Sequence, residues 1–337
     1  MIEIDGSIGG GQILRTSLSL SALTQKPFRI INIRVKRENP GLQNQHLTAV
    51  NSISKICNAN VKGNQLHSKE LEFIPSEVVS GNYKFDIGTA GSTTLVLQTL
   101  LPPLIFAEEN SVVEIIGGTA NSLAPPVLDI KEVFLWHLNK LGVKVDLELE
   151  KEGFFPKGGG KIKTTIYPCK ELKNFSFSEH SSGNYKETNI IAVCSKELEE
   201  RDIAKRLIKG FKLNFPITHN LNTEERYVET LSPGCYVHAN YSYEDHKVGM
   251  TILGEKSRKA EDIGKECAVK LLGGMKSGAN VDHFTADQLL IYMAIRGHDK
   301  IKISQVTDHM KTNIETIQKF LDVRFEIKDN TIECKKI

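Results

Sequence analysis

His309 lies in the stretch Val306-Thr307-Asp308-His309-Met310-Lys311-Thr312-Asn313, a placement that suits a nucleophile, although a lone histidine is more often structural and position alone does not decide. Thr312 and Glu315 have capping-box spacing, which predicts that the last helix begins there and leaves His309 just outside its positive end. Such a placement disfavours imidazolium, keeps a ring nitrogen nucleophilic and stabilises an incoming phosphate. Thr285-Ala286-Asp287-Gln288 has the same form. Thr285 and Gln288 fit a second capping box, so Asp287 is either ordinary first-turn dipole chemistry or a polar contact to a bound nucleotide. Phe284 offers an aromatic face to a base.

Anion-binding features stand elsewhere in the chain. Gly9-Gly10-Gly11 directly precedes an apolar helix, and Gly88-Thr89-Ala90-Gly91-Ser92 repeats the arrangement. Glycines there let backbone N–H groups approach an anion at a positive helix end. The plainer reading is a turn and a helix start. No G-x-x-x-x-G-K-[ST] occurs, so an ordinary P-loop is absent. Lys26, Arg29, Arg34, Lys36 and Arg37 form a basic run without an acid. On a strand, Arg34 and Lys36 share a face, and Arg37 begins the loop toward Pro40-Gly41. Arginine forks suit phosphate oxygens, although a basic run also suits a solvated surface.

These residues need elements to position them, and the order helix, strand, helix, β-hairpin runs through the chain three times. The first copy reads Ile13–Leu23, Phe28–Ile33, Leu47–Cys57, Val61–Leu66 and Leu71–Ile74. The second reads Leu95–Leu101, Val112–Ile116, Val127–Leu141, Val143–Leu149 and Ile162–Tyr167. The third reads Leu289–Ala294, Ile301–Ile303, Ile314–Leu321, Val323–Ile327 and Thr331–Cys334. Equivalent loops of such copies converge on a shared cleft. Between the second and third copies lies a segment with its own α/β content. It holds a strand Ile190–Cys194, a charged helix Glu199–Lys209, strands Tyr236–Tyr243 and Val248–Leu253, and a helix Ala260–Leu272. Polar Ser178–Asn184 reads as its entrance and Gly273–Gly278 as its exit. The fold expected is layered α/β: a discontinuous body of residues 1–174 and 275–337, and an inserted domain of 175–274.

With 337 residues, 40% hydrophobic and 25% charged, the chain reads as a soluble protein of about two domains. A net charge of +2 confines any nucleic-acid site to a local patch. Six cysteines without C-x-x-C spacing read as reduced thiols of a cytoplasmic protein. Cys235 and His238 have metal-ligand spacing but no second pair, so zinc is not expected. The most apolar run, Leu95–Ala107, is too short to span a bilayer, and no membrane association is expected.

Taken together, the stretches resemble the RNA 3′-terminal phosphate cyclases. The resemblance rests on Asp5-Gly6-Ser7 with Gly9–Arg15, Arg34-x-x-Arg37, and Pro40-Gly41-Leu42 with Gln45-His46-Leu47. It continues through Ile87–Ser92 with Leu97-Gln98, Gly117-Gly118-Thr119 and Ala124-Pro125-Pro126. It ends with Pro156 and Gly158–Gly160, Ala286-Asp287-Gln288, and His309-x-x-Thr312-Asn313. The motifs follow the family's order over nearly all of the chain outside the insert.

The resemblance implies three copies of a unit similar to the C-terminal domain of translation initiation factor 3, plus a smaller inserted domain. It implies that His309 attacks the α-phosphate of ATP, and that AMP passes to an RNA 3′-phosphate. The neighbouring 2′-hydroxyl then closes a 2′,3′-cyclic phosphate. By the same resemblance Arg15, Arg34, Arg37 and Gln45 hold phosphate oxygens, and Gln98, Asp287 and Gln288 contact the nucleotide. Phe284 and Pro125 or Pro126 sandwich the adenine, and ATP comes with a divalent cation, Mg or Mn. Two departures bear on that cation. The family's Gly-Glu-Gly-Gly-Gly loop is shortened here, so its metal-binding Glu is absent and Asp287 is the remaining possible ligand. Ala120 stands where many members have Asp. The alternative is a non-catalytic cyclase-like RNA-binding protein of ribosome assembly, and retention of His309 and the arginines argues against it. An enolpyruvyl transferase has more repeats and lacks the insert.

Overall fold

The computed structural model describes residues 1–8, 10–174 and 184–337. Gly9 and residues 178–183 of the stretch read as the insert's entrance lie outside the described residues.

The first unit comprises β1 (Ile2–Asp5), α1 (Gly11–Thr24), β2 (Phe28–Ile31), α2 (Asn44–Ile56), β3 (Asn60–Lys62) and β4 (Leu71–Ile74). Its sheet has the order β1-β2-β4-β3, with β1 parallel to β2 and the other pairs antiparallel. The second unit holds β5 (Asn82–Asp86), α3 (Thr93–Leu104), β6 (Ser111–Gly117), a helical run Val127–Lys140, β7 (Val145–Lys151) and β8 (Gly160–Ile166). That run is α4 (Val127–Asp129), a π-helical turn Ile130–Phe134 and α5 (Leu135–Lys140). Its sheet repeats the order as β5-β6-β8-β7, again with a parallel first pair.

The intervening segment forms β9 (Tyr185–Ser195), a 3-10 turn Lys196–Arg201, α6 (Ile203–Lys212), β10 (Leu221–Val228), β11 (Cys235–Tyr243), β12 (Lys247–Leu253) and α7 (Ala260–Ser277). Its sheet runs β10-β9-β11-β12. The last unit holds α8 (His283–Arg296), β13 (His298–Lys302), α9 (Asp308–Phe320), β14 (Val323–Lys328) and β15 (Thr331–Lys336). Its sheet, β13-β15-β14, matches the last three strands of the other two. A single parallel bridge, Val281 to Ile303, stands where the others have their first strand.

One apolar cluster holds the three units together. Leu14 and Leu18 of α1, Leu100 of α3, Leu290 of α8 and Ile317 of α9 are all fully buried within it. Helix α1 packs against α3 and α9, and α8 packs against α3 and α9. The N-terminal ends of these helices carry most of the candidate site residues. The segment from β9 to α7 has its own cluster, including Leu207, Phe211, Val237 and Leu271. Along β9, Ile190, Ala192 and Cys194 face that cluster. Ile191 and Val193 face a smaller one containing Leu128, Phe154 and Tyr236. The period-2 alternation therefore buries both faces of this strand.

Several expectations are corrected. Helix α9 starts at Asp308, not Thr312, because the Thr307 side chain accepts from Met310 N and caps the helix one turn earlier. Helix α8 starts at His283, because the Asp282 carboxylate accepts from Thr285 N. The strand through Arg34 ends at Ile31, since Asn32 and Arg34 adopt positive φ (56° and 54°) and turn the chain. Residues Gly273–Ser277 form no loop. Helix α7 continues through them, because Cys267, Leu271 and Met275 recur every fourth residue against the core. Gly278, at φ 64°, ends it.

Candidate active site

Gln12, Arg15, Thr16 and Ser19 of helix α1 recur at helical spacing and line a cleft between helices. Gln98 of α3, Asp287 and Gln288 of α8 and Asn313 of α9 line the same cleft. Residues far apart in sequence thus meet because the three units pack their helices together.

Asp287, on the wall of that cleft, has its Oδ2 3.0 Å from His309 Nδ1. His309 sits in the first turn of α9 with its side chain 49% exposed, whereas Asp287 is nearly buried. A carboxylate only accepts, so a proton on Nδ1 suits this contact and leaves Nε2 as the basic nitrogen. Asn313 donates to Asp287 through its side-chain amide, at 3.0 Å to the main-chain oxygen and 3.3 Å to Oδ1. Thr16 in turn donates to Asn313 Oδ1 at 2.7 Å. The chain Thr16, Asn313, Asp287, His309 fixes the imidazole from α1 through α9 to α8. Sequence reasoning did not find Thr16 or Gln12; their helical spacing with Arg15 and Ser19 was the available signal.

The start of α1 gathers positive charge. Arg15 is buried, which pulls its guanidinium down to about 10, while the Asp287 charge works the other way. It therefore remains cationic at neutral pH, and its Nη2 donates to Gln12 Oε1 at 3.0 Å. His46 packs beside it. Burial, followed by Arg15 and Arg34, pushes its imidazole down to about 3, so it is neutral. Its Nδ1 accepts from Gln43 N at 3.4 Å. Both side chains crowd Gly11: a Cβ there would stand 2.5 Å from His46 Nε2 and 2.9 Å from Arg15 Nη1. Arg37 reaches the same place, with its Nη2 3.3 Å from where a Cβ of Gly10 would be. Gly10 itself has φ 62°, which only glycine adopts cheaply.

Arg34 and Gln45 brace neighbouring loops. Arg34 donates to the carbonyls of Asn39 (2.7 Å) and Gly41 (2.8 Å), fixing the loop that follows Arg37. Gln45 accepts from Ser92 N at 2.7 Å. In the Gly88–Ser92 loop, Gly88 N donates to Asp86, Gly91 N to Thr89, and Thr93 N to Gly118 O. Those amides are spent on holding the loop, whereas among the described residues no side chain caps α1. Gln98 donates to Gln288 Oε1 at 2.5 Å across the cleft. Phe284 is 56% exposed at the start of α8. Pro125 O accepts from Thr94, and Pro126 caps α4.

Among the described residues no group of three or more His, Cys, Asp or Glu is placed to hold a metal ion. Asp287, the possible ligand, has one oxygen beside His309 and the other beside Asn313. Among the described residues no helix is long and apolar enough to cross a membrane.

The fold is that of an α/β protein whose cleft brings a buried arginine and a carboxylate beside a histidine. A family model for RNA 3′-terminal phosphate cyclase matches residues 7–327. A Pyrococcus furiosus protein named RNA 3′-terminal phosphate cyclase is 40% identical over 97% of this chain and 95% of its own length. Proteins of the same name from Sulfurisphaera tokodaii and Pseudomonas fluorescens are 42% and 39% identical, each over 97% of this chain and over 96% and 94% of their own lengths. The chain belongs to the RNA 3′-terminal phosphate cyclase family.

Proposed function

We propose that this protein uses ATP to convert the 3′-phosphate end of RNA into a 2′,3′-cyclic phosphate. The observation that carries the reading, within a chain of this family, is the 3.0 Å approach of Asp287 Oδ2 to His309 Nδ1. His309 Nε2 attacks the α-phosphorus of ATP, an N–P bond forms, and the bond to the pyrophosphate oxygen breaks. Positive charge builds on the ring as Nε2 attacks, and Asp287 stabilises it through the Nδ1 proton. An oxygen of the RNA 3′-phosphate then displaces the imidazole, giving a 3′-adenylylated end. The 2′-hydroxyl attacks the RNA phosphorus, loses its proton and expels AMP.

The surrounding residues fit this chemistry. A phosphate dianion is a poor electrophile, and charge develops on phosphoryl oxygens at every step, which calls for fixed cations and helix ends. Arg15, Arg37 and the start of α1 supply them, while Arg34 and Gln45 hold the adjoining loops in place. Gln98, Asp287 and Gln288 contact the nucleotide, and exposed Phe284 with Pro125 or Pro126 flanks the adenine. Any Mg or Mn that accompanies ATP is left to the nucleotide's own oxygens and water. Residues 175–274 form an inserted domain in a catalytic body of 1–174 and 275–337; the separate apolar clusters support that division.

The test uses an RNA oligonucleotide with a 3′-phosphate, the protein and ATP. The reading expects an end resistant to phosphatase that reverts to a phosphatase-sensitive phosphate after acid opens the ring. Ends that stay phosphatase-sensitive at high enzyme concentration overturn it.

A further inference from the structure

Cys194 and Cys235 are opposite one another in the antiparallel pair β9–β11. The next pair along is Ser195 with Gly234, and Ser195 N donates to Gly234 O at 2.8 Å. Hydrogen-bonded and open pairs alternate in such a ladder, so Cys194 and Cys235 occupy an open pair, where opposed Cα atoms stand about 4.5 Å apart. That separation lies inside the span of about 4.4–6.8 Å that disulfides bridge. Opposed residues share a sheet face, and both cysteines pack on the same apolar cluster. On the far side of β11, Gly254 N donates to Cys235 O at 2.7 Å, and a Cβ at Gly254 would collide with Cys235 Sγ. The glycine leaves the sulfur its space.

The two thiols differ in access. Cys194 is fully buried, whereas Cys235 is partly exposed at the end of its strand. The other four cysteines, Cys57, Cys169, Cys267 and Cys334, are buried.

We propose that Cys194 and Cys235 are a modification site, a cross-strand dithiol that closes reversibly to a disulfide, with Cys235 reacting first and Cys194 resolving. The Cys235 thiolate attacks one sulfur of a small disulfide of the oxidised-glutathione class. That S–S bond breaks, one small thiolate leaves and takes up a proton, and Cys235 holds the other half as a mixed disulfide. Cys194 gives up its proton and attacks Cys235 Sγ, expelling the second small thiol. Two protein thiols are oxidised and one small disulfide is reduced to two thiols. The exposure of Cys235 sets this order, and the neighbouring thiol acts in the same sense by lowering Cys235 and raising Cys194.

The experiment incubates the reduced, full-length native protein with oxidised glutathione, blocks free thiols and maps the peptides by mass spectrometry. The expected result is a linked pair of peptides containing Cys194 and Cys235 that dithiothreitol separates. Cys194→Ala should instead accumulate a glutathionyl adduct on Cys235, and Cys235→Ser should show neither link nor adduct at Cys194. A wild-type protein that stays unlinked while folded, or that links other cysteines in preference, overturns the proposal. The wild-type crosslink decides the matter even where Cys194→Ala fails to fold.

Discussion

Thr16 and Asn313, 297 positions apart in the chain, are joined by a 2.7 Å hydrogen bond between buried side chains. Asn313 passes that constraint to Asp287, and Asp287 to His309. Thr16→Val keeps the shape of the side chain but leaves Asn313 Oδ1 without its donor. A buried acceptor so stranded costs about 1–3 kcal/mol. The expected outcome is a lower urea midpoint together with a reduced kcat and a nearly unchanged KM for ATP. Loss of stability without loss of kcat would separate Thr16 from the site.

Asp287→Asn replaces an acceptor-only group with an amide of the same size. The imidazolium that develops during attack loses its counter-charge, and the Nδ1 proton is no longer fixed. Activity should fall about 10²–10⁴-fold, the scale of a lost acid–base partner, with the fold unchanged by circular dichroism. A residual rate within a few-fold of wild type would show that the carboxylate is dispensable.

Two glycine-to-alanine changes in helices should have opposite effects. At Gly273 in α7 nothing lies within 4 Å of an added Cβ, so Gly273→Ala should stabilise by about 0.5–1 kcal/mol. At Gly11 the same methyl would meet His46 and Arg15. Gly11→Ala should lower kcat/KM about 10- to 100-fold, as a misplaced positioning group does. Denaturant melts and steady-state kinetics on the two variants check the pair.

His46 makes the fold sensitive to acid. Its folded-state value, about 3, lies below the unfolded histidine value, so the unfolded chain binds the proton first. The stability it contributes is present above the unfolded value of about 6.5 and is lost as pH falls toward about 3. Buried His137, pushed down to about 4, acts in the same sense. Asp282, pushed up to about 6 by burial, opposes them: its contribution is lost as pH rises through that value. His46→Gln should flatten the slope of unfolding free energy between pH ~4 and ~6 by up to about 1.4 kcal/mol per pH unit. An unchanged slope would mean that His46 titrates normally.

Much of the architecture was legible because the helices carry strong apolar periodicity and the hairpins alternate. Three strands escaped notice for a common reason. β1, β5 and β10 are sheet-edge strands with few buried side chains, and the alternation of β1 and β5 spans only 4 and 5 residues. The caps of α8 and α9 were misplaced because Thr285 and Thr312 match a capping pattern that Asp282 and Thr307 satisfy one turn or more upstream. Arg34 could not be seen as a loop brace, since its positive φ and its carbonyl partners follow from the turn and not from residue type. His309, Asp287 and Arg15 were nameable from the sequence. Their joining through Thr16 and Asn313 depends on packing between units and was not.

The central claim is that His309 carries AMP. The purified protein is incubated with α-³²P-ATP and magnesium or manganese, denatured, and examined for label, with His309→Ala beside it. The account predicts label on the wild type alone, stable to alkali and lost in acid, as a phosphoramidate is. Absence of label with either metal, or equal label on His309→Ala, would contradict it.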